Sequence, residues 1–203
     1  MEELDWSKVT KRCRGRLPHW EIPGMTVFVT FRLWDSLPAE VVRAYAEERK
    51  ILERKIAQEG STKELVKLAR LLFSERIESA LDVGAGGCLL RRAEYSELVM
   101  GAVKFFDGER YVLHALCVMP NHVHVVATLS LTERLSKTTH SWKSFVVNRA
   151  QRELGHRGSL WQEESYDHIV RDNEDFDRVV RYTLENPEKA NLKNWPFIYQ
   201  GLD

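Results

Sequence analysis

The sequence predicts an α+β fold, a ferredoxin-like antiparallel sheet with helices packed on it, and three observations support that prediction. Three segments have the β-branched and aromatic composition of strands, and helical segments are interleaved with them. Two of these strands are joined by a tight turn, which makes them antiparallel neighbours. The chain of 203 residues is 43% hydrophobic and 30% charged, so it can bury a core. We therefore expect one domain over residues 1–203.

The N-terminal half predicts a basic arm, a strand and a helical insertion. The arm covers about residues 1–20, where cations precede proline and glycine breakers, a pattern typical of a flexible segment. A strand follows from Met25 to Leu33. One helix from Ala39 to Gln58 and a second over about residues 61–81 belong to an insertion of about residues 38–107. The cations of the arm are Lys8, Lys11, Arg12, Arg14 and Arg16.

The rest of the chain alternates helices with the strand pair. Apolar spacing predicts a helix from Arg91 to Phe106, and the paired strands follow from Tyr111 to Leu129. A long helix is predicted from Thr132 to Leu154. A short segment, Leu160 to Val170, leads to a last helix over about residues 173–185. That helix should stop before its proline, because the residue preceding proline is disfavoured in the helical region.

Composition limits the compartment and the partners. The 30 Lys and Arg residues balance 30 Asp and Glu residues, so total charge gives no argument for a nucleic-acid partner. Cys13, Cys88 and Cys117 are odd in number and lack CxxC spacing, which fits a reducing compartment. No run approaches the roughly 20 apolar residues of a membrane span, and the N-terminus is unlike a signal peptide. We expect a cytoplasmic protein without a membrane partner.

A His-Val-His triplet follows the turn between the paired strands. Because side chains alternate along a strand, His122 and His124 emerge on one face, about 6.5 Å apart at the backbone. Two neighbouring imidazoles can converge on one divalent ion. Two histidines on a half-exposed strand are also common without a metal, so spacing alone leaves both interpretations open.

Tyr182 and Asn186 stand out in the last helical segment because they lie four residues apart. That spacing projects both side chains from one helical face, where a phenol and an amide can approach the same ion or substrate. The alternative is that Tyr182 packs in the core and Asn186 caps the end of the helix.

Three motifs, taken in order, resemble the REP-associated tyrosine transposases, a branch of the single-tyrosine HUH transposases of bacterial insertion sequences. The motifs are PNHVH after a strand, WQEESYDHIVRD, and YTLENP near the C-terminus. The resemblance implies that His122 and His124 bind a divalent metal, Mg²⁺ or Mn²⁺. It further implies that Tyr182 is the nucleophile on a C-terminal catalytic helix and that Asn186 is the third metal ligand. Relatives in insertion sequences more often have glutamine at the position of Asn186.

The function that this resemblance implies is a metal-dependent endonuclease and strand transferase for single-stranded DNA, a transposase that acts on hairpin-forming palindromic repeats. A divalent ion polarises the anionic phosphodiester, and the tyrosine oxygen attacks in line to leave a 3′-hydroxyl and a 5′-phosphotyrosine. A strand with a free 3′-hydroxyl can then attack that linkage, so rejoining needs no nucleotide cofactor. Part of WQEESYDHIVRD should lie near the active site.

DNA binding has to be predicted from local charge. The arm combines its five cations with Trp20, which can stack on an unpaired base. Lys137, Lys143 and Arg149 recur along the helix after the HUH strand, a stripe long enough to follow a DNA backbone. A solvated helix face would have the same pattern.

Two other functions remain open, as does the oligomeric state. The first is a non-catalytic regulator that binds DNA hairpins with the same fold. The second is an RNA-binding ferredoxin-like module whose sheet stacks bases on aromatic side chains. The chain is expected to act as a monomer or a homodimer.

Overall fold

The computed structural model describes residues 10–14, 17–59, 77, 79–163 and 165–201. They divide into two compact units: Met1–Trp34 with Leu89–Asp203, and Asp35–Cys88. The helices and strands in chain order are β1 (Thr10–Arg14), β2 (Leu17–Glu21), β3 (Thr26–Arg32), α1 (Ala39–Glu59), α2 (Ser79–Asp82), α3 (Ala93–Lys104), β4 (Tyr111–Val118), β5 (His122–Leu129), α4 (Leu135–Glu153), β6 (Tyr166–Ile169), α5 (Asn173–Lys189) and β7 (Ile198–Gln200).

The first unit is built on a five-stranded antiparallel sheet with the strand order β6-β3-β5-β4-β7. Helices pack on both faces of the sheet, which confirms the predicted α+β class. The strand that carries the His-Val-His triplet, β5, is central and pairs with β3 along its length. A central strand is covered on both faces, and the first six residues of β5 are all buried.

One face of the sheet forms the main core with α3 and α4. Alternate residues of β3 and β5 point to this face, and Trp142 of α4 stacks near Phe31 with ring centroids 6.3 Å apart. Val99 and Val103 supply the buried side of α3. The apolar spacing that predicted a buried helical face therefore matches the packing. This face includes Val27, Val29, Phe31, Val123 and Val125.

The opposite face of the sheet packs against α5. Phe28 of β3 and Val126 of β5 are cross-strand partners there, and Val179 of α5 joins their cluster. His122 and His124 lie on this same face, because they pair with Arg32 and Thr30 in the register that places Phe28 opposite Val126. The fold therefore places the predicted metal ligands beneath the C-terminal helix.

Two strands of the sheet were not predicted. β6 has four residues within the short segment from Leu160 to Val170, for which no strand was predicted, and β7 has three. Both are edge strands, and each is too short to show an alternating pattern in the sequence. β6 pairs with β3 and β7 with β4, so both depend on partners distant in the sequence.

The prediction of a flexible N-terminal arm was wrong for part of its length. β1 and β2 form an antiparallel hairpin in which Lys11 is opposite Trp20 and Arg12 is opposite His19. The prediction from composition did not include this backbone pairing. Lys8 and Arg16 lie outside the described residues.

The second unit contains α1 and the single turn α2. Leu37, Ile77 and Leu81 form its buried apolar cluster. The predicted helix over about residues 61–81 lies mostly outside the described residues. The insertion was expected to extend to about residue 107, whereas α3 belongs to the first unit, because its apolar face packs on the sheet. Among the described residues, no helix is long and apolar enough to cross a membrane.

Tyr111→Phe should lower the free energy of unfolding by about 2–4 kcal/mol. The Tyr111 hydroxyl donates to the Val103 carbonyl at 2.5 Å and accepts from Trp142 Nε1 at 2.9 Å, so its loss leaves two buried groups unpaired. Urea denaturation measures the change. Tyr95→Phe is the control, because the Tyr95 hydroxyl lies 3.4 Å from its partly buried partner and should contribute less. Equal losses in the two variants would contradict the prediction.

Candidate metal and nucleophile site

His122 and His124 meet inside the protein rather than at its surface. Their exposed fractions are 1% and 0%, and their Nε2 atoms lie 2.9 Å apart. Each ring has a partner at its other nitrogen. Asn121 Oδ1 is 2.7 Å from His122 Nδ1, and Thr30 Oγ1 is 2.9 Å from His124 Nδ1. The two Nε2 atoms are therefore aimed at one point.

Burial determines the charge of this pair. It lowers the pKa of His122 to about 3 and the pKa of His124 well below its usual range, with the neighbouring His122 as a second cause for His124. Both imidazoles are neutral near pH 7. A neutral imidazole keeps a lone pair on one ring nitrogen, which is the form that binds metal ions.

Tyr182 reaches the histidine pair from α5. Its ring contacts the ring of His124 edge-on, with centroids 5.4 Å apart. Phe28 stacks on His124 at 5.3 Å and contacts Tyr182 edge-on at 5.8 Å, so three rings fix one another. Tyr182 also packs against the buried cluster that contains Phe28, Val126 and Val179, so its position agrees with core packing as well as with the predicted role.

Asn186 lies one turn after Tyr182 and is completely buried. Neither its Oδ1 nor its Nδ2 has a hydrogen-bond partner among the described residues. A buried amide without partners costs free energy, about 1–3 kcal/mol for each unmade bond, so such a group calls for an explanation. Val179, Thr183 and Pro187 share the buried side of α5 with it.

The prediction that the last helix stops at Glu185 was wrong, because α5 continues through Pro187 to Lys189. Pro187 has no N–H for the bond to residue 183, but later bonds persist: Ala190 N donates to Asn186 O and Leu192 N donates to Pro187 O. Burial of Pro187 supports the extra turn. As a result Asn186 keeps its helical spacing from Tyr182 instead of ending the helix.

The side chains present fit a divalent metal. Among the residues that the structure describes, no group of three His, Cys, Asp or Glu side chains forms a metal cluster, so a third ligand from these residues would have to be of another type. Asn186 offers one, since an amide oxygen is an accepted ligand of hard cations and this one has no hydrogen bond to give up. Two neutral imidazoles and one amide oxygen can hold Mg²⁺ or Mn²⁺.

Four residues around this site were not predicted from the sequence. Thr30 and Asn121 bond the outer nitrogens of the histidines, and Phe28 stacks on His124. Lys189 places its Nζ 5.0 Å from the centre of the Tyr182 ring, a cation–π contact, and 3.5 Å from Glu185 Oε2. Asn121 lies inside the PNHVH motif and was a visible signal. Thr30 and Phe28 depend on strand register, which the sequence did not reveal.

The cationic residues of α4 do not lie next to the histidine pair. α4 packs on the other face of the sheet. Lys143 points back into the protein, where Nζ donates to the carbonyls of Gln162 at 2.6 Å and Glu163 at 3.0 Å. Burial is the main reason that its pKa is lowered to about 8. Lys143 therefore anchors the segment before β6, and its role in binding DNA remains only a prediction.

The other two α4 cations are more accessible. The side chain of Lys137 is 72% exposed and lies 4.0 Å from Glu133. Arg149 pairs with Glu153 and stands over the exposed ring of Phe145. Together with the arm residues, they stay predictions for DNA binding.

Four residues of the WQEESYDHIVRD motif form β6, which pairs with β3 and lies one strand away from the histidines of β5. Tyr166 of β6 pairs with Thr30, and His168 pairs with Phe28, so both lie on the face that bears His124. His168 bonds Asp175 of α5 at 2.6 Å, which makes it a contact between the sheet and α5. The expectation that part of this motif lies near the site agrees with the register.

No family model matches the chain. A curated protein of Haemophilus influenzae, whose name provisionally identifies it as a REP-associated tyrosine transposase, is 27% identical over 104 residues. The match covers 41% of this chain and 55% of that relative, so the chain spans about half the length of the curated relative that it matches. This similarity supports the resemblance drawn from the three motifs.

Two solved structures were also found to be similar. A REP-associated tyrosine transposase bound to a REP hairpin gives a TM-score of 0.54 at 17% identity, covering 91% of this chain and 82% of the other. That match shows a shared fold. A protein of Deinococcus radiodurans R1 with a provisional transposase name gives 0.38 at 13% identity, covering 85% and 95% of the two chains.

Acid should destabilise the protein between pH 7 and pH 5 through the histidine pair. The pKa values of His122 and His124 are lowered by burial, so below about pH 6.5 the unfolded chain binds protons that the folded chain does not. Stability is therefore full above that pH and falls as the pH decreases, by up to about 1.4 kcal/mol per pH unit for each histidine. Urea denaturation across this range measures the slope. The exposed His140 is the control: H140Q should keep the slope, and a double His122→Gln, His124→Gln variant should lose most of it.

Asn186→Leu should raise the free energy of unfolding in EDTA by about 1–3 kcal/mol. Leucine has a similar size and removes a buried amide that has no hydrogen-bond partner. The same variant should no longer be stabilised by added Mn²⁺, as measured by thermal unfolding with and without the ion. Asn148→Leu, on the exposed side of α4, should show neither effect. A loss of stability in Asn186→Leu would count against this account of the amide.

Proposed function

We propose that this chain is a metal-dependent endonuclease and strand transferase for single-stranded DNA, a transposase that acts through a 5′-phosphotyrosine. The observation that supports this most is the convergence of three elements. Tyr182 contacts His124, the Nε2 atoms of His122 and His124 meet, and Asn186 holds an unpartnered amide one turn further along α5. The motif resemblance and the name of the curated relative both support the tyrosine transposase part of this proposal.

His122, His124 and Asn186 would hold the metal, either Mg²⁺ or Mn²⁺. When bound, such an ion polarises the scissile phosphate and offsets its negative charge. The protein contributes a dry site, since both imidazoles are buried and neutral, and their Nδ1 partners hold the ring planes in place. Lys189, whose Nζ lies beside the Tyr182 ring and 3.5 Å from Glu185 Oε2, is a nearby cation that we propose as a phosphate contact.

Tyr182 is the nucleophile in this proposal. Its oxygen forms a bond to phosphorus as the phenolic proton leaves, and the bond from phosphorus to the 3′-oxygen breaks. The released 3′-oxygen takes up a proton, so the products are a free 3′-hydroxyl and a 5′-phosphate ester of Tyr182. A 3′-hydroxyl can reverse the reaction on the same ester. Contacts with His124 and Phe28 hold the phenol in place for this attack.

The substrate we propose is single-stranded DNA that folds into a hairpin, such as a palindromic repeat. A protein of the same fold is bound to a REP hairpin in its solved structure. The arm and the exposed α4 residues Lys137 and Arg149 are the proposed phosphate contacts. The buried free thiols of Cys88 and Cys117 agree with a cytoplasmic setting.

The test is an adduct assay with a labelled single-stranded hairpin repeat and either Mn²⁺ or EDTA. We expect a covalent protein–DNA adduct that needs the ion and is absent in Tyr182→Phe. Tyr166→Phe is the matched control, because Tyr166 packs against the cluster that includes Phe28 and Tyr182. This variant should still form the adduct.

Other outcomes separate the alternatives. An adduct that persists in Tyr182→Phe and disappears in Tyr166→Phe would place the nucleophile on β6 instead of α5 and overturn the mechanism. Tight hairpin binding without an adduct or a cut would favour a non-catalytic regulator. Preference for RNA of the same sequence would favour an RNA-binding module.

A further inference from the structure

The hydrogen bonds around the histidine pair determine which ring nitrogen carries hydrogen. Asn121 Oδ1 can only accept, so His122 Nδ1 at 2.7 Å must donate to it. A neutral imidazole has one N–H, which leaves a lone pair on His122 Nε2. The 2.9 Å contact between the Nε2 atoms is a hydrogen-bond distance, and two lone pairs facing each other there would repel. His124 Nε2 is therefore the donor.

This assignment gives Thr30 a definite role. With its hydrogen on Nε2, His124 has a lone pair on Nδ1, and the Thr30 hydroxyl at 2.9 Å donates to it. Thr30 is itself only 2% exposed, so water does not readily replace this bond. The result is a buried chain in which Thr30 donates to His124, His124 to His122, and His122 to Asn121.

Binding of an ion by both histidines requires a change in this chain. A metal needs a lone pair on each Nε2, so the hydrogen of His124 must move from Nε2 to Nδ1. His124 Nδ1 then donates, and Thr30 must accept. A hydroxyl can make this change by rotating about its C–O bond, because it has one hydrogen and two lone pairs.

We propose that Thr30 is a positioning residue whose hydroxyl reverses its role as donor and acceptor, so that His124 can turn a lone pair toward a divalent ion. Asn121 holds His122 in the metal-binding tautomer at all times, whereas His124 has two tautomers. The inference rests on the proposed function in one respect only, namely that His122 and His124 bind the ion. It does not depend on the nucleophile or on DNA.

Thr30→Val tests the proposal, because valine has nearly the same shape but neither donates nor accepts. We expect Mn²⁺ affinity, measured by titration calorimetry without DNA, to fall 10- to 100-fold, as is usual for loss of a hydrogen bond behind a metal-binding histidine. Thr30→Ser restores the hydroxyl and should bind Mn²⁺ close to wild type. Thr26→Val is the matched control, since Thr26 lies on the same strand and face but bonds Thr128. It should leave the affinity unchanged.

A second measurement follows the hydrogen directly in the wild-type protein. Nitrogen NMR of ¹⁵N-histidine-labelled protein distinguishes N–H from lone-pair nitrogens, and Zn²⁺ is a diamagnetic probe. His122 should be Nδ1–H with and without Zn²⁺. His124 should be Nε2–H without the ion and Nδ1–H with it. A purely structural role for Thr30 does not require this change.

The outcomes separate this inference from the proposed function. If wild type and Thr30→Val bind Mn²⁺ equally, or if His124 keeps one tautomer throughout, the role of Thr30 is wrong while metal-dependent cleavage stands. If wild type binds neither Mn²⁺ nor Zn²⁺ at these histidines, both proposals fail. Weaker binding in Thr30→Val that Thr30→Ser restores, together with the tautomer change, supports the inference.

Discussion

The structure depends on placing two imidazoles in the middle of a sheet beneath a helix. A central strand leaves no room for water at His122 and His124, so every ring nitrogen needs a partner from the protein or a ligand. The partners come from three places: β3, the turn before β5, and the other histidine. The same burial keeps both rings neutral. The position in the sheet thus produces both the geometry and the charge of the site.

α5 contributes two residues to this site, one held by aromatic contacts and one without side-chain hydrogen bonds. Tyr182 is held by aromatic contacts with His124 and Phe28, whereas Asn186 is buried with no hydrogen bond of its own. Sites that bind ligands often keep such unfavourable groups, because the group that a ligand satisfies is unsatisfied without it. The continuation of the helix through Pro187 is what keeps the two residues one turn apart.

The sequence was enough to predict the class of the fold and the shared strand face of His122 and His124, and it failed where contacts are long-range. His122 and His124 followed from period-two alternation on a recognisable strand, while the pairing with Tyr182 and Asn186 needed the resemblance between motifs. The contact of Thr30 could not be predicted, because Thr30 is 94 residues from its partner His124. The register between β3 and β5 cannot be derived from the sequence of either strand alone. The edge strands β6 and β7 were missed because four or three residues show no periodicity. The prediction that the last helix ends before Pro187 was wrong, because burial of Pro187 against the protein outweighed the local preference against a helical residue before proline.

The near-zero exposure of His122 and His124 also has a kinetic consequence. If an ion binds there as we propose, it could not reach Nε2 by diffusion through solvent alone and would enter only during brief openings of α5, which covers β5. Association would then be limited by how often α5 opens, and an ion once inside would be slow to leave for the same reason. Under the proposed function, metal exchange would therefore depend on motions of the C-terminal helix, and the ion would stay in the site over many encounters with DNA.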